Sequence, residues 1–153
     1  MSELLEKARS YEAKKIAATD KESKPLFHIS APAGWINDPN GFSVYNGKIH
    51  LFYQYYPYLR EWGPMHWGHS TTSDMIKWEQ LPCVLAPDEE YDKKGCFSGS
   101  AIEADGKHVL VYTGVTRIKL PDGSEQERQN QCIAFGDGLN YVCLLYTSPS
   151  PRD

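Results

Sequence analysis

Apolar and polar positions change period once along the chain. Over residues 3–18, Leu4, Ala8, Tyr11 and Ala18 recur on one helical face, with Leu5 and Ile16 beside it and charges on the other face. This predicts one short, exposed helix as a leader over residues 1–24, broken by the polar, proline-ending "DKESKP" (Asp20–Pro25). From Phe27 onward the runs are β-like. "GFSVYNGKIHLFYQY" (41–55) reads as two strands joined by Asn46-Gly47, and "SAIEADGKHVLVYTG" (100–114) as two joined by Asp105-Gly106. A third hairpin is predicted over 115–136, with Pro121-Asp122-Gly123 at its tip.

The first two hairpins are related. At an offset of 59 (105 − 46), Lys48 meets Lys107, Leu51 meets Leu110 and Tyr53 meets Tyr112. A second pair of similar segments follows, "SDMIKW" (73–78) and "GDGLNY" (136–141), at an offset of 63 (137 − 74). Hairpin repeats of this length suggest four-stranded blades of a β-propeller. Residues 25–142 hold about two blades plus the start of a third, fewer than closure needs, so a truncated propeller is expected. The last 11 residues, "CLLYTSPSPRD" (143–153), turn abruptly to Ser and Pro. They resemble a translated sequencing adapter, and no structure is expected of them.

Composition narrows the partners. A formal net charge of −4 leaves no basic footprint for nucleic acid or an anionic membrane. No run of about 18 apolar residues occurs, and the first 15 residues lack a signal-peptide core. Four cysteines without a C-x-x-C pair suggest neither a disulfide framework nor a zinc site, and a reducing cytoplasm fits. The 10 Tyr, 5 Phe and 4 Trp suit strands and also suit stacking on sugar rings.

Candidate chemistry centres on "WINDPNGF" (35–42). Pro39 and Asn40-Gly41 read as a turn leading into the first inner strand, with Asp38 either an Asx-turn acceptor or a nucleophile at the mouth of a central funnel. One repeat later (38 + 59 = 97), Phe97 and Ser98 fall at the matching edge. "GCFSG" (95–99) is not the G-x-S-x-G elbow of serine hydrolases. His66 and His69, three apart on a strand, face opposite sides and predict packing rather than a metal site. Gln54, among three tyrosines, could bind sugar hydroxyls or satisfy a strand edge; Trp62 could offer an indole face. "APDEEYDKKG" (86–95) reads as a solvated loop without chemistry.

Taken together, "WINDPNG" (35–41), "LFYQYYP" (51–57), "WGPMHWGHS" (62–70), "DMIKWEQLP" (74–82), "GCFSGSA" (95–101) and "YTG" (112–114) resemble glycoside hydrolase family 32, the β-fructofuranosidases. The resemblance is collinear over about Phe27–Val142. It implies a five-bladed propeller with a funnel-shaped active site, a retaining mechanism on sucrose or sucrose-6-phosphate, and no metal or organic cofactor. It makes Asp38 the nucleophile, with Asn37, Gln54, Trp62, Phe97 and Ser98 shaping the fructosyl pocket. The family's "RDP" motif, carrying a stabilising Asp, and its "EC" motif, carrying the acid/base Glu, have no counterpart in the chain. Neither Glu103 nor Glu127 fills the gap, so the chain alone is expected to be inactive. Arg60 and His66 are candidates for a phosphate contact. The alternatives are a non-catalytic carbohydrate-binding propeller and a protein-interaction scaffold.

Overall fold

The computed structural model describes residues 2–20, 22, 24–25 and 27–149, with side chains described through Leu144. Helix α1 spans Glu3–Ala18. Eight strands follow: β1 Trp35–Tyr45, β2 Lys48–Tyr56, β3 His66–Thr72, β4 Glu79–Leu85, β5 Gly95–Ala104, β6 Lys107–Lys119, β7 Glu125–Gly136 and β8 Tyr141–Pro149. They form two four-stranded antiparallel sheets, β1-β2-β3-β4 and β5-β6-β7-β8. All eight strands belong to these two sheets, so no strand of a third occurs among the described residues, contrary to expectation. Strand β8 also runs on through Pro149, past the point where the change of composition predicted structure to stop. Its residues 143–149 pair with β7, at Ala134↔Cys143 and Asn130↔Pro149 for example. The remaining tail residues, 150–153, lie outside the described ones.

The repeat seen in the sequence is a repeat of backbone geometry. Asn46 and Gly47 have φ of 48° and 72°, and Asp105 and Gly106 have 49° and 70°. Both pairs adopt the doubly positive φ that matches a two-residue hairpin to strand twist. The turns between the third and fourth strands also correspond. Asp74 Oδ1 accepts from the N–H groups of Ile76 and Lys77, and Asp137 Oδ1 from those of Leu139 and Asn140. A positive φ follows each acid, at Met75 (60°) and Gly138 (92°).

The main core lies between the sheets. Phe52, Trp67, Val84 and Leu85 of the first sheet pack against Cys96, Leu110, Tyr112, Cys132, Ala134 and Tyr141 of the second. Backbone joins them where Cys96 N–H donates to Met65 C=O at 2.8 Å, beside a parallel bridge between Met65 and Gly95. His66 and His69 pack as expected and are buried. His69 Nε2 lies 2.9 Å from His50 Nδ1, and His108 contacts Ser43 Oγ at 2.9 Å and Tyr141 OH at 2.7 Å through its two ring nitrogens. The loop read as solvated contributes a buried residue, Asp92, whose Oδ2 accepts from Tyr112 OH at 2.9 Å.

Alternation on β2 sends Tyr53 and Tyr55 to the opposite side from Phe52, where they meet Leu5 and Ala8 of α1 together with Cys83 and Ala86. Ser2 caps the helix by accepting from Leu5 N–H at 3.2 Å, with Glu3 and Glu6 in the first turn and Lys15 in the last. The buried face is rotated from the predicted one. Leu5, Ala8 and Glu12 are inside, while Leu4 and Ile16 are more than 40% exposed. The cause is the polar demand of β4, an edge strand whose unpaired groups need partners. Glu12 Oε2 accepts from Cys83 N–H at 3.0 Å, and Arg9 Nε donates to Cys83 C=O at 2.8 Å. The same guanidinium reaches the second sheet, donating to Asn140 Oδ1 and Leu139 C=O, both at 2.9 Å.

Burial pushes the Glu12 pKa up to about 7, against the lowering pull of the Cys83 N–H and the Arg9 charge. A folded-state pKa above the unfolded value means that this group's contribution is fully present at low pH and is lost as pH rises from about 4.5 through 7. Glu12→Gln keeps an acceptor for Cys83 and carries no charge. The variant is therefore expected to gain thermal stability over the parent progressively between pH 5 and pH 8, by up to about 3 kcal/mol. A difference in melting temperature that stays constant over that range contradicts this account of Glu12.

Candidate active site

Irregularities in β1 and β5 place the candidate residues. On β1, Ile36 pairs with Tyr55 and Pro39 with Tyr53, so Asn37 and Asp38 together oppose the single residue Gln54. This is a β-bulge inside the strand, a device that redirects side chains. The "NDPNG" segment is thus no turn ahead of the first strand, as the sequence suggested. Pro39 and Asn40 are paired strand residues, and Gly41, with φ of 53°, opens a second irregularity before Ser43. Pro39 is tolerated because the edge of a sheet and a bulge are the places where a missing N–H costs little. Asn37 and Asp38 are exposed.

The second sheet repeats the arrangement. Phe97 pairs with Thr113 and Gly99 with Tyr112, which leaves Ser98 as the extra residue of a bulge on β5. Ser98 is exposed and Phe97 half-buried. Strands β1 and β5 pack directly on one another, and a Cβ on Gly41 would come within 3.1 Å of Ala101 Cβ. Trp62, in the β2–β3 connection and 57% exposed, meets Phe97 edge to face with ring centroids 6.3 Å apart.

Gln54 joins the two groups. It is buried, and its Nε2 donates to Cys96 C=O at 3.0 Å, one residue before Phe97. The structure therefore brings Asn37, Asp38 and Gln54 together by register, and Trp62, Phe97 and Ser98 by packing, with Gln54 as the link. Sequence reading passed over Trp67, which is fully buried and donates from Nε1 to Phe97 C=O at 3.1 Å. The signal was present in "MHWGHS", whose tryptophan falls on the same side of β3 as the buried His69.

Of the two candidates for a phosphate contact, His66 is ruled out by its setting. It is buried, its Nδ1 donates to Pro64 C=O at 2.8 Å, and burial drives its pKa down to about 4, so it is neutral near pH 7. Arg60 is exposed and lines a cavity with Lys15, Lys24, Tyr11 and Tyr58.

Gly99 shows how tightly the β5 bulge is set. A Cβ there would lie 2.0 Å from Val111 O and 2.7 Å from Tyr112 Cα, both backbone atoms of the partner strand. Gly99→Ala is expected to destabilise the fold by about 1–3 kcal/mol. A shift in the urea midpoint measures it, and an unchanged midpoint contradicts the register described for β5.

Comparison with known proteins identifies the family. The Glycosyl hydrolases family 32 N-terminal domain matches residues 28–145. The chain is 48% identical over 118 residues to sucrose-6-phosphate hydrolase of Escherichia coli, covering 76% of this chain and 25% of that protein. To levanase of Bacillus subtilis it is 48% identical over 145 residues, covering 94% and 21%. The chain thus spans about a quarter of the length of the curated relatives it matches. Among solved structures, the Bombyx mori GH32 β-fructofuranosidase BmSUC1 superposes with a TM-score of 0.81 at 43% identity, covering 95% of this chain and 31% of that one. A mutant of that enzyme has been solved in complex with sucrose. Sucrose-6-phosphate hydrolase from Lactobacillus gasseri superposes with a TM-score of 0.74 at 32% identity, covering 97% and 29%. With more than three quarters of its length matched by the family's N-terminal domain, this chain belongs to glycoside hydrolase family 32.

Proposed function

We propose that the chain is the nucleophile-bearing part of a retaining β-fructofuranosidase. Its two sheets are neighbouring blades of a five-bladed propeller whose funnel is lined by β1 and β5. The observation that carries this reading is the pair of matching bulges, which set exposed Asp38 and exposed Ser98 on adjacent inner strands. Asp38 attacks the anomeric carbon of the fructosyl unit, and the bond from that carbon to the leaving glycosyl oxygen breaks. A second carboxylic acid gives its proton to that oxygen. It then takes a proton from the water that releases fructose and frees Asp38. Retaining enzymes hold the two carboxyls roughly 5–5.5 Å apart. No residue of the chain matches the second motif, so in this reading the acid is a group that these 153 residues do not supply. Asn37 and Ser98 offer polar groups to sugar hydroxyls, and Trp62 with Phe97 packs the apolar side of the ring.

Within the full-length enzyme, Asp38→Ala is expected to abolish sucrose hydrolysis and leave the melting temperature near that of the parent. Retention of more than a few per cent of the parent activity removes Asp38 from the role of nucleophile.

The cations Arg60, Lys15 and Lys24 around one cavity suit the phosphate of sucrose-6-phosphate. Arg60→Gln is expected to raise KM for sucrose-6-phosphate about tenfold while leaving KM for sucrose unchanged, as loss of one charge-assisted contact requires. An equal change for both substrates, or none for either, rules out Arg60 as the phosphate contact.

A further inference from the structure

We propose that Trp67 is a positioning residue for the fructosyl pocket, acting through the bulge on β5. The inference rests on the reading above, in which Phe97 and Ser98 face the sugar. At the bulge the β5 backbone leaves its regular ladder, since Phe97 and Gly99 pair with the successive residues Thr113 and Tyr112 and Ser98 has no partner. Carbonyls at such a point lose strand partners and must find others when buried. Two successive ones find them in the first sheet: Cys96 C=O takes Gln54 Nε2 at 3.0 Å, and Phe97 C=O takes Trp67 Nε1 at 3.1 Å.

The indole suits this task. Trp67 is fully buried, and its ring is held between Phe52 at 5.7 Å and Tyr112 at 6.2 Å. Tyr112 is itself the residue opposite Gly99 and is anchored to Asp92. The N–H is therefore aimed by packing, at a carbonyl that belongs to a pocket residue and immediately precedes Ser98. Indole N–H is a donor only, so it cannot be satisfied by a second tautomer or a flipped group. Loss of this donor takes from the half-buried Phe97 its carbonyl's contact with the first sheet, and the bulge relaxes to seek another partner. The pocket side chains Phe97 and Ser98 move with it.

The test uses the full-length enzyme with Trp67→Phe, and with Trp67 replaced by its benzothiophene isostere, which keeps the bicyclic shape and removes only the N–H. Leu5→Ala, in the separate cluster beneath α1, serves as a control for lost stability. Positioning predicts faster amide hydrogen exchange over residues 95–101 in both Trp67 variants and not in the control. It also predicts a fall in kcat/KM on sucrose of about tenfold to a hundredfold, at temperatures where every variant is folded. Where Trp67→Phe does not fold, the isostere alone decides. Exchange unchanged from the parent, or kcat/KM within twofold of it, overturns the proposal, as does an equal fall in the control. A parent enzyme that cleaves no β-fructofuranoside refutes the functional reading instead, and exchange over 95–101 still decides whether Trp67 holds the bulge.

Discussion

The two sheets share no strand, and the backbone of β5 at their seam is paired with groups of the first sheet. The seam here is short. Met65 C=O, Gln54 Nε2 and Trp67 Nε1 satisfy Cys96 N–H, Cys96 C=O and Phe97 C=O in turn. A buried peptide group without a partner costs as much as several surface ion pairs contribute. The three contacts therefore fix where β5 begins, and with it where Phe97 and Ser98 stand relative to Asn37 and Asp38. The apolar core of Phe52, Trp67, Leu110 and Tyr112 supplies most of the favourable energy, but it specifies no register by itself.

Helix α1 meets the same constraint at the opposite edge. Strand β4 would leave Cys83 N–H and C=O unpaired, and Glu12 and Arg9 take both. The Arg9 guanidinium then spans to the β7–β8 turn, so one side chain ties helix, first sheet and second sheet together. Its planar fork allows three nitrogens to serve three acceptors at once, which a lysine could not do. A carboxylate kept in a buried place is the cost of this arrangement, and the raised pKa of Glu12 is its signature.

Features fixed by local chemistry were legible in the sequence. Asn46-Gly47 and Asp105-Gly106 announce hairpins because few residues accept positive φ in succession, and the helix over residues 3–18 shows its period directly. Features fixed by register were not. Nothing in "NDPNG" distinguishes a turn from a bulge, because the extra residue exists only relative to β2. Gln54 among tyrosines reads equally as a sugar contact or a strand partner, and its bond to Cys96 exists only once the two sheets are packed. Glu12 reads as a solvated charge because helical period says nothing of the edge strand beneath. Asp38, Phe97 and Ser98 become candidates through the repeat offset and the family motifs, whereas Trp67 does not stand out because a buried tryptophan usually needs no reason beyond packing.

The most direct test of the account is to trap the covalent intermediate. The full-length enzyme would be treated with a 3-deoxy-3-fluoro-β-fructofuranosyl donor carrying a good leaving group on C2, the anomeric carbon, so that it reacts readily while the fluorine kept on C3 slows hydrolysis, then digested and analysed by peptide mass spectrometry. The bulge geometry predicts one sugar unit per chain, on the peptide containing Trp35–Phe42 and at Asp38. A label on any other carboxylate, or stoichiometric turnover of the donor with no labelled peptide, would contradict the account.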